Sequence, residues 1–250
     1  MTGPVAVLGG SGKTARAVRD ALAARGVEAI PVGRAEWPDL ADVLAQTERA
    51  FVSAPNMHED ERAFVLEAVE AARSAGLRRL VYHSVASPYA PEMPHHLAKA
   101  RAEDVVRRSG IAWTILQPGA YLQNFPLDGA PIRIAYRGDA PFGLTHLGDL
   151  GAAAATVLLE DGHEGATYEL ASIRATPADV AAAAGADLEV LTPDDWTRTD
   201  GTSLEPRVRD WLLAMFAYYD RHGLPAGTLP MRALLGRAPT TLAEAVASQR

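Results

Sequence analysis

The chain reads as an α/β protein, a doubly wound parallel sheet carrying a smaller, mostly helical C-terminal lobe. Two observations predict this. First, one local pattern recurs three times: Arg25-Gly26-Val27, Ala75-Gly76-Leu77 and Ser109-Gly110-Ile111 each close a helical stretch with Gly and open an apolar run. Gly after a helix accepts the left-handed conformation that turns the chain back. Arg25, Arg73, Arg107 and Arg108 precede these glycines, where the helix dipole is negative. Second, the runs are short and rich in β-branched or aromatic residues, while the stretches between them keep a 3.6-residue period. Strands alternating with helices in this way indicate parallel βαβ units.

Taken in order, strands are expected at residues 5–8, 27–32, 50–54, 80–84 and 112–116. Ala15, Val18 and Leu22 share a face of the first helix. Val65, Ala68, Val69 and Ala72 do so in a second, and Ala98, Ala102, Val105 and Val106 in a third. Past residue 125 the pattern loosens, with Pro126, Pro131 and Pro141 marking an irregular excursion. A helix is expected at 147–160, a strand at 167–170, and a further helix start at Thr176-Pro177, with Thr as cap and Pro in the first turn. Val208, Trp211, Leu212, Met215 and Tyr219 form a late aromatic-rich stripe, readable as a core face or as part of a pocket wall. The whole is expected to be a single domain over 1–250, its core drawn from about 1–125 plus 147–171 and its lobe from about 126–146 plus 172–250.

Composition narrows the function classes. With 250 residues and 48% hydrophobic content the chain buries a substantial core, and disorder is excluded. A net charge of −7, with no basic run longer than a pair, argues against nucleic acid or an acidic membrane as partner. No cysteine is present, so there is no disulfide scaffold, thiol nucleophile or Cys-ligated zinc, and the seven His show no metal-ligand spacing. Met1-Thr2-Gly3-Pro4 leads straight into the first apolar run. The expectation is a cytoplasmic protein, monomer or homodimer, acting on a small molecule, with no membrane partner.

Chemistry concentrates after the first strand. Gly9, Gly10, Ser11, Gly12, Lys13 and Thr14, with Ala15 behind them, form a glycine loop opening the first helix. Glycines there let a pyrophosphate approach the backbone and sit on free N–H groups. A phosphate-binding P-loop is excluded because Val7 stands where that motif needs its first Gly. The second strand ends Val32-Gly33-Arg34, and Arg34 suits a 2′-phosphate, hence NADP(H), where Asp or Glu would select NAD. The alternative is a solvated arginine.

The glycine loop, Leu80-Val81-Tyr82-His83-Ser84, Ser109 through Gly119, Gly165 through Leu170 and the tail Leu235 through Thr241 occur in the order of a known family. The chain resembles the NmrA-like branch of the atypical short-chain dehydrogenases, Rossmann-like NAD(P)-binding proteins that include NADPH:quinone, triphenylmethane-dye and isoflavone-type reductases. The resemblance implies that Ser53, Ala54 and Pro55 lie beside the cofactor's ribose and diphosphate. It also implies that Pro118 and Gly119 border the nicotinamide, and that Tyr121, Gln123, Asn124 and Phe125 begin the substrate pocket. Gln117 departs from the Arg usual before Pro-Gly, and only 16 residues separate Arg34 from Phe51. A third strand is therefore expected only as a stub at 35–37.

The Tyr-x-x-x-Lys of ordinary short-chain dehydrogenases is absent. Instead His95 and Lys99 stand at i and i+4 on a helix that starts at Pro94. Lys99 is expected to hold the nicotinamide ribose and His95 to protonate a substrate oxygen, with His83 on the cofactor side and Ser84 as a substrate-oxygen donor. Two alternatives are a surface ion pair between Lys99 and Glu103 and a strand-end capping role for Ser84. His146, Trp196 and Tyr218 are further pocket candidates. The expected function is NADPH-dependent hydride transfer to a hydrophobic aromatic or quinone-like molecule. The alternatives are an NAD(P)-binding sensor without turnover, and a non-redox dehydratase, isomerase or coupling enzyme.

Overall fold

The computed structural model describes residues 3–248. The expectation drawn from Met1 and Thr2 therefore lies outside the described residues. Along the first half run β1 (Val5–Leu8), α1 (Lys13–Ala24), β2 (Ala29–Val32), α2 (Leu40–Leu44), β3 (Arg49–Val52), α3 (Glu61–Ser74), β4 (Arg79–His83), α4 (Pro94–Arg107) and β5 (Ala112–Pro118). There follow β6 (Ala120–Tyr121), β7 (Ile132–Ile134), β8 (Phe142–Thr145), α5 (Leu147–Leu159), β9 (Ala166–Leu170), β10 (Ile173–Ala175) and α6 (Pro177–Ala184). The chain continues through β11 (Leu188–Val190), α7 (Pro193–Arg198), α8 (Pro206–His222), α9 (Leu229–Leu235) and α10 (Leu242–Ala247).

Six strands form the central sheet in the order β2-β1-β3-β4-β5-β9, all parallel. Side chains alternate across it. Val5, Val7, Phe51, Val81 and Leu116 pack on one face against α1, α5 and α9, while Ala6, Leu8, Val52, Leu80, Tyr82 and Ile115 pack on the other against α2, α3 and α4. Gly26, Gly76 and Gly110 have φ of +69°, +71° and +74°, the left-handed turns that the recurring pattern requires. Helices α1 and α5 lie so close that a Cβ on Gly151 would stand 2.3 Å from the Ala17 carbonyl oxygen.

From β1 the chain passes outward to β2 and then returns to β3 on the other side of β1. That reversal leaves a crevice at the carboxyl ends of β1 and β3, where open α/β sheets bind ligands. The lobe adds to its helices two small sheets, ordered β10-β8-β6 and β11-β7. Its core gathers Leu122, Ile132, Phe142, Leu144, Val180 and Leu224. Thr176 and Asp179 form a reciprocal capping box at the start of α6.

One expected element is corrected. Residues 35–37 form no strand: a turn leads into a single 3-10 turn, Trp37–Asp39, and then α2. Pro38 has no N–H to donate to a ladder, and Trp37 stacks on Phe64 of α3, ring centroids 4.4 Å apart. The sheet therefore ends at β2.

Candidate active site

β1 delivers the chain into the glycine loop. Gly9 has φ +90°, and a Cβ there would lie 2.6 Å from the Ser53 carbonyl oxygen. Gly10 rests on the Val32 carbonyl, its Cβ position 3.0 Å from that oxygen. Only glycine lets this loop pass between the ends of β2 and β3. Helix α1 then begins at Lys13 without a side-chain cap, which leaves first-turn N–H groups for an anion. Arg34, exposed at the end of β2, has no hydrogen bond or ion pair among the described residues. These features fit a dinucleotide phosphate at the loop and a second phosphate at Arg34.

A hydrogen-bonded chain runs beside the loop. The Thr14 hydroxyl lies 2.9 Å from that of Tyr121, which lies 2.6 Å from Nε2 of His83, whose Nδ1 lies 3.1 Å from Oγ of Ser53. Burial holds the His83 pKa well below its usual value, with Lys99 and then His95 adding to the effect, so the ring is neutral. One consistent proton placement has Thr14 donating to Tyr121, Tyr121 to Nε2, and Nδ1–H to Ser53. The Ser53 hydroxyl proton then remains for a ligand. Lys13 donates to Oδ1 of Asn124 at 2.6 Å and sits 5.2 Å from the Tyr121 ring centroid, so the loop also reaches the substrate side. Burial lowers the Lys13 pKa.

Below the crevice, α4 presents His95, His96 and Lys99, all buried. Lys99 Nζ donates to Oε1 of Glu61 at 2.7 Å and to the His83 carbonyl at 3.3 Å. The surface pair with Glu103 is not formed. Glu103 is fully buried and instead accepts from Ser84 at 2.5 Å, Gln117 at 2.7 Å and Arg107 at 3.2 Å. The Ser84 hydroxyl proton is thereby committed to a carboxylate, which leaves it no proton for a substrate oxygen. The same contact explains Gln117, whose amide satisfies a buried charge.

Neither ring nitrogen of His95 has a hydrogen-bond partner among the described residues, and Nδ1 is fully buried. Burial first, then Lys99 and His96, lowers its pKa to about 3. Its ring lies 6.0 Å from that of Trp211 on α8. Burial likewise lowers the His96 pKa to about 4, although its hydrogen bond to the Ser87 carbonyl opposes the shift.

One cavity of about 1450 Å³ joins these groups. Every residue expected on the cofactor side lines it, from Gly9 through Thr14 to Arg34, Ser53 through Pro55, His83, Lys99, Pro118 and Gly119. Tyr121, Asn124, Phe125, His95 and Ser84 line it as well. The volume exceeds the ~300–1,000 Å³ typical of a site for one drug-sized ligand, so a dinucleotide and a second molecule fit together. Four other expected pocket residues do not line it. Gln123 accepts from the Leu147 N–H, and His146 occupies the residue before α5 without a side-chain cap bond. Trp196 stands behind Phe216, edge-on at 4.9 Å, and Tyr218 packs on His222.

The far end is instead walled by Tyr136, Phe142, Leu212, Met215, Phe216 and Tyr219. Tyr136 lies 5.6 Å from each of Phe142, Phe216 and Tyr219. The stripe on α8 carried the signal for Leu212, Met215 and Tyr219, but it did not include Phe216. Tyr136 and Phe142 carried none, because the proline-broken stretch around them shows no period in the sequence, although Phe142 opens β8.

A family model described as NAD(P)H-binding matches residues 30–161, more than half of the chain. The chain belongs to this NAD(P)H-binding family. It is 31% identical to an NAD(P)H azoreductase of Xenophilus azovorans over 182 residues, 68% of this chain and 63% of that protein's length. It therefore spans under two thirds of that relative. With quinone oxidoreductase 2 of Escherichia coli K12 it shares 28% identity over 245 residues, 90% of this chain and 84% of the relative. The crystal structure of the NADPH-dependent quinone oxidoreductase QOR2 from E. coli, complexed with NADPH, superposes with a TM-score of 0.82 at 23% identity. That comparison covers 98% of this chain and 99% of the other, and it shows a shared fold.

Proposed function

We propose that this member of the NAD(P)H-binding family is an NADPH-dependent oxidoreductase that reduces a hydrophobic aromatic or quinone-like small molecule. One observation carries the reading: a single cavity runs from the glycine loop, past Lys99 and His95, into an aromatic chamber. The azoreductase and quinone oxidoreductase relatives support it.

The glycine loop and the first turn of α1 would hold the diphosphate, and Arg34 the 2′-phosphate. The Ser53 hydroxyl would meet the adjoining ribose and Lys99 the nicotinamide ribose, while Pro118 and Gly119 border the ring. When bound, the reduced nicotinamide supplies the hydride. The chain's own part is to orient the two molecules and keep water out. His95, uncharged at neutral pH, would hold a substrate oxygen or nitrogen by a hydrogen bond. The rings of Tyr136, Phe142, Phe216 and Tyr219 would cover the apolar face of the substrate. Reduction of a quinone then consumes one NADPH and one proton from solvent, giving a hydroquinone and NADP+.

Among the described residues no helix is long and apolar enough to cross a membrane. The same reading makes the protein a cytoplasmic monomer or homodimer.

The test is calorimetric titration with NADPH and NADH separately, followed by turnover on a panel of naphthoquinones and azo compounds. NADPH binding ahead of NADH, with oxidation of NADPH on adding a quinone, is expected. Failure to bind either dinucleotide would overturn the reading. Binding without turnover on any member of the panel would move it to a dinucleotide sensor.

A further inference from the structure

The geometry points to Glu61 as a positioning residue that fixes Lys99 for the nicotinamide half of the cofactor. This rests on the reductase reading above.

Glu61 opens α3, and its side chain is fully buried against that of Lys99, which is 8% exposed. An ammonium has three N–H donors and rotates freely about its last bond. Here one is directed to Oε1 of Glu61 at 2.7 Å and a second to the His83 carbonyl at 3.3 Å. The third remains for the cavity that Lys99 lines. Tyr82 donates to the same Oε1 at 2.7 Å, so that oxygen is held between two donors.

Besides Lys99, Glu61 meets the hydroxyl of buried Tyr82, and it has no part in capping its helix. Helix α3 is capped by Asp60, whose Oδ1 accepts from the Ala63 N–H at 2.9 Å, so Glu61 is not needed there. Oε2 of Glu61 is buried with no partner among the described residues. A buried carboxylate oxygen left without a hydrogen bond costs stability. Two donors on Oε1 offset that cost, and of the two only Lys99 lines the cavity. Lys99 gains a fixed direction, because a lysine on a flexible stem otherwise surrenders rotamer freedom on meeting a ligand.

The test compares wild type, E61Q and E61D by calorimetry with two ligands, NADPH and adenosine 2′,5′-bisphosphate. The second carries the adenine end and no nicotinamide. E61Q is expected to weaken NADPH about tenfold and the bisphosphate by less than about twofold. E61D, with the charge kept and the reach shortened by one methylene, should recover part of the NADPH affinity.

A purely structural role would lower both ligands together, and that result overturns the assignment. So does E61Q binding NADPH as wild type does. Should E61Q fail to fold, E61D decides alone: unchanged NADPH affinity sinks the proposal, while a loss of about threefold confined to NADPH supports it. Wild type that binds the bisphosphate but gains nothing from the nicotinamide half would overturn the parent reading, and this one with it. That outcome is visible before any variant is made.

Discussion

The Tyr121 hydroxyl stands 2.6 Å from Nε2 of His83, and this contact joins the glycine loop, through Thr14, to the end of β3 at Ser53. Tyr121 comes from β6, beyond the last strand of the first half-sheet, and His83 ends β4. Removing the hydroxyl with Tyr121→Phe strands a buried ring nitrogen. That should cost about 1–3 kcal/mol of stability, read as a lowered urea midpoint at unchanged slope. An unchanged midpoint would mean the chain of hydrogen bonds adds nothing.

Arg34 lines the cavity with no partner among the described residues, so its guanidinium gives up no contact by meeting a phosphate. Arg34→Ala should cut NADPH affinity by about tenfold or more and leave NADH affinity within about twofold. Paired titrations decide this, and equal losses for both dinucleotides would refute a 2′-phosphate contact.

Gly9→Ala places a methyl against the Ser53 carbonyl at 2.6 Å and demands a φ of +90° from a non-glycine residue. Both effects act on the turn that shapes the loop. The expected cost is about 2 kcal/mol or more of stability, with NADPH binding lost. Thermal melts and titration together check it, and a stable variant that still binds would contradict the geometry.

The buried histidines make stability depend on acid. His95 and His96 have folded-state pKa values of about 3 and 4, below the ordinary 6.5, and His83 is also well below it. Between those values the unfolded chain binds the extra protons. Stability is therefore fully present above pH 6.5 and falls as the pH drops toward 4. The slope is about 1.4 kcal/mol per pH unit for each such histidine. Urea midpoints at pH 7.5, 6.5 and 5.5 would show it, and His95→Gln should flatten the acid limb. A midpoint constant down to pH 5 would mean that these rings are not held neutral.

Phe216 lies between the cavity and Trp196, and is one of the rings around Tyr136. Phe216→Ala opens the apolar wall far from the glycine loop. KM for an aromatic substrate should rise about tenfold while NADPH affinity is unchanged. A matching loss of NADPH affinity would place this wall on the cofactor side.

Much of the fold was legible because it rests on local rules. The three Gly turns, the alternation of Val5, Ala6, Val7 and Leu8 between two faces, and the helical period of Val65, Ala68, Val69 and Ala72 are properties of neighbouring residues. They survive folding unchanged, and the glycine loop after β1 followed from the same reasoning. Where local rules stopped, so did the reading. Sixteen residues after Arg34 held room for a strand stub on paper, but Pro38 and the stacking of Trp37 on Phe64 made a turn instead. In the lobe, Trp196 and Tyr218 were expected at the pocket and Phe216 was not, while Tyr219 stood in the stripe on α8. The rotation of α8 brought Phe216 and Tyr219 to the cavity and Tyr218 onto His222, while Trp196, on α7, packs behind Phe216.

The sequence by itself determined the alternation of strands and helices through the central sheet, the stub at 35–37 apart, the loop that can take a phosphate, and the placing of His95 and Lys99 on one helix face. Tertiary structure alone decided the partners of the charges. Glu103, four residues from Lys99, was the natural counter-ion by helix geometry, yet it turned inward to Ser84 and Gln117, and Glu61 from another helix took its place. The physical reason is burial. On a surface, an ion pair is set by proximity along the helix and is worth little. In the interior each charge must be met by whatever group the packing brings to it, because an unpaired one is too costly. That group is chosen by how α3 and α4 cross the sheet, and no local pattern encodes it.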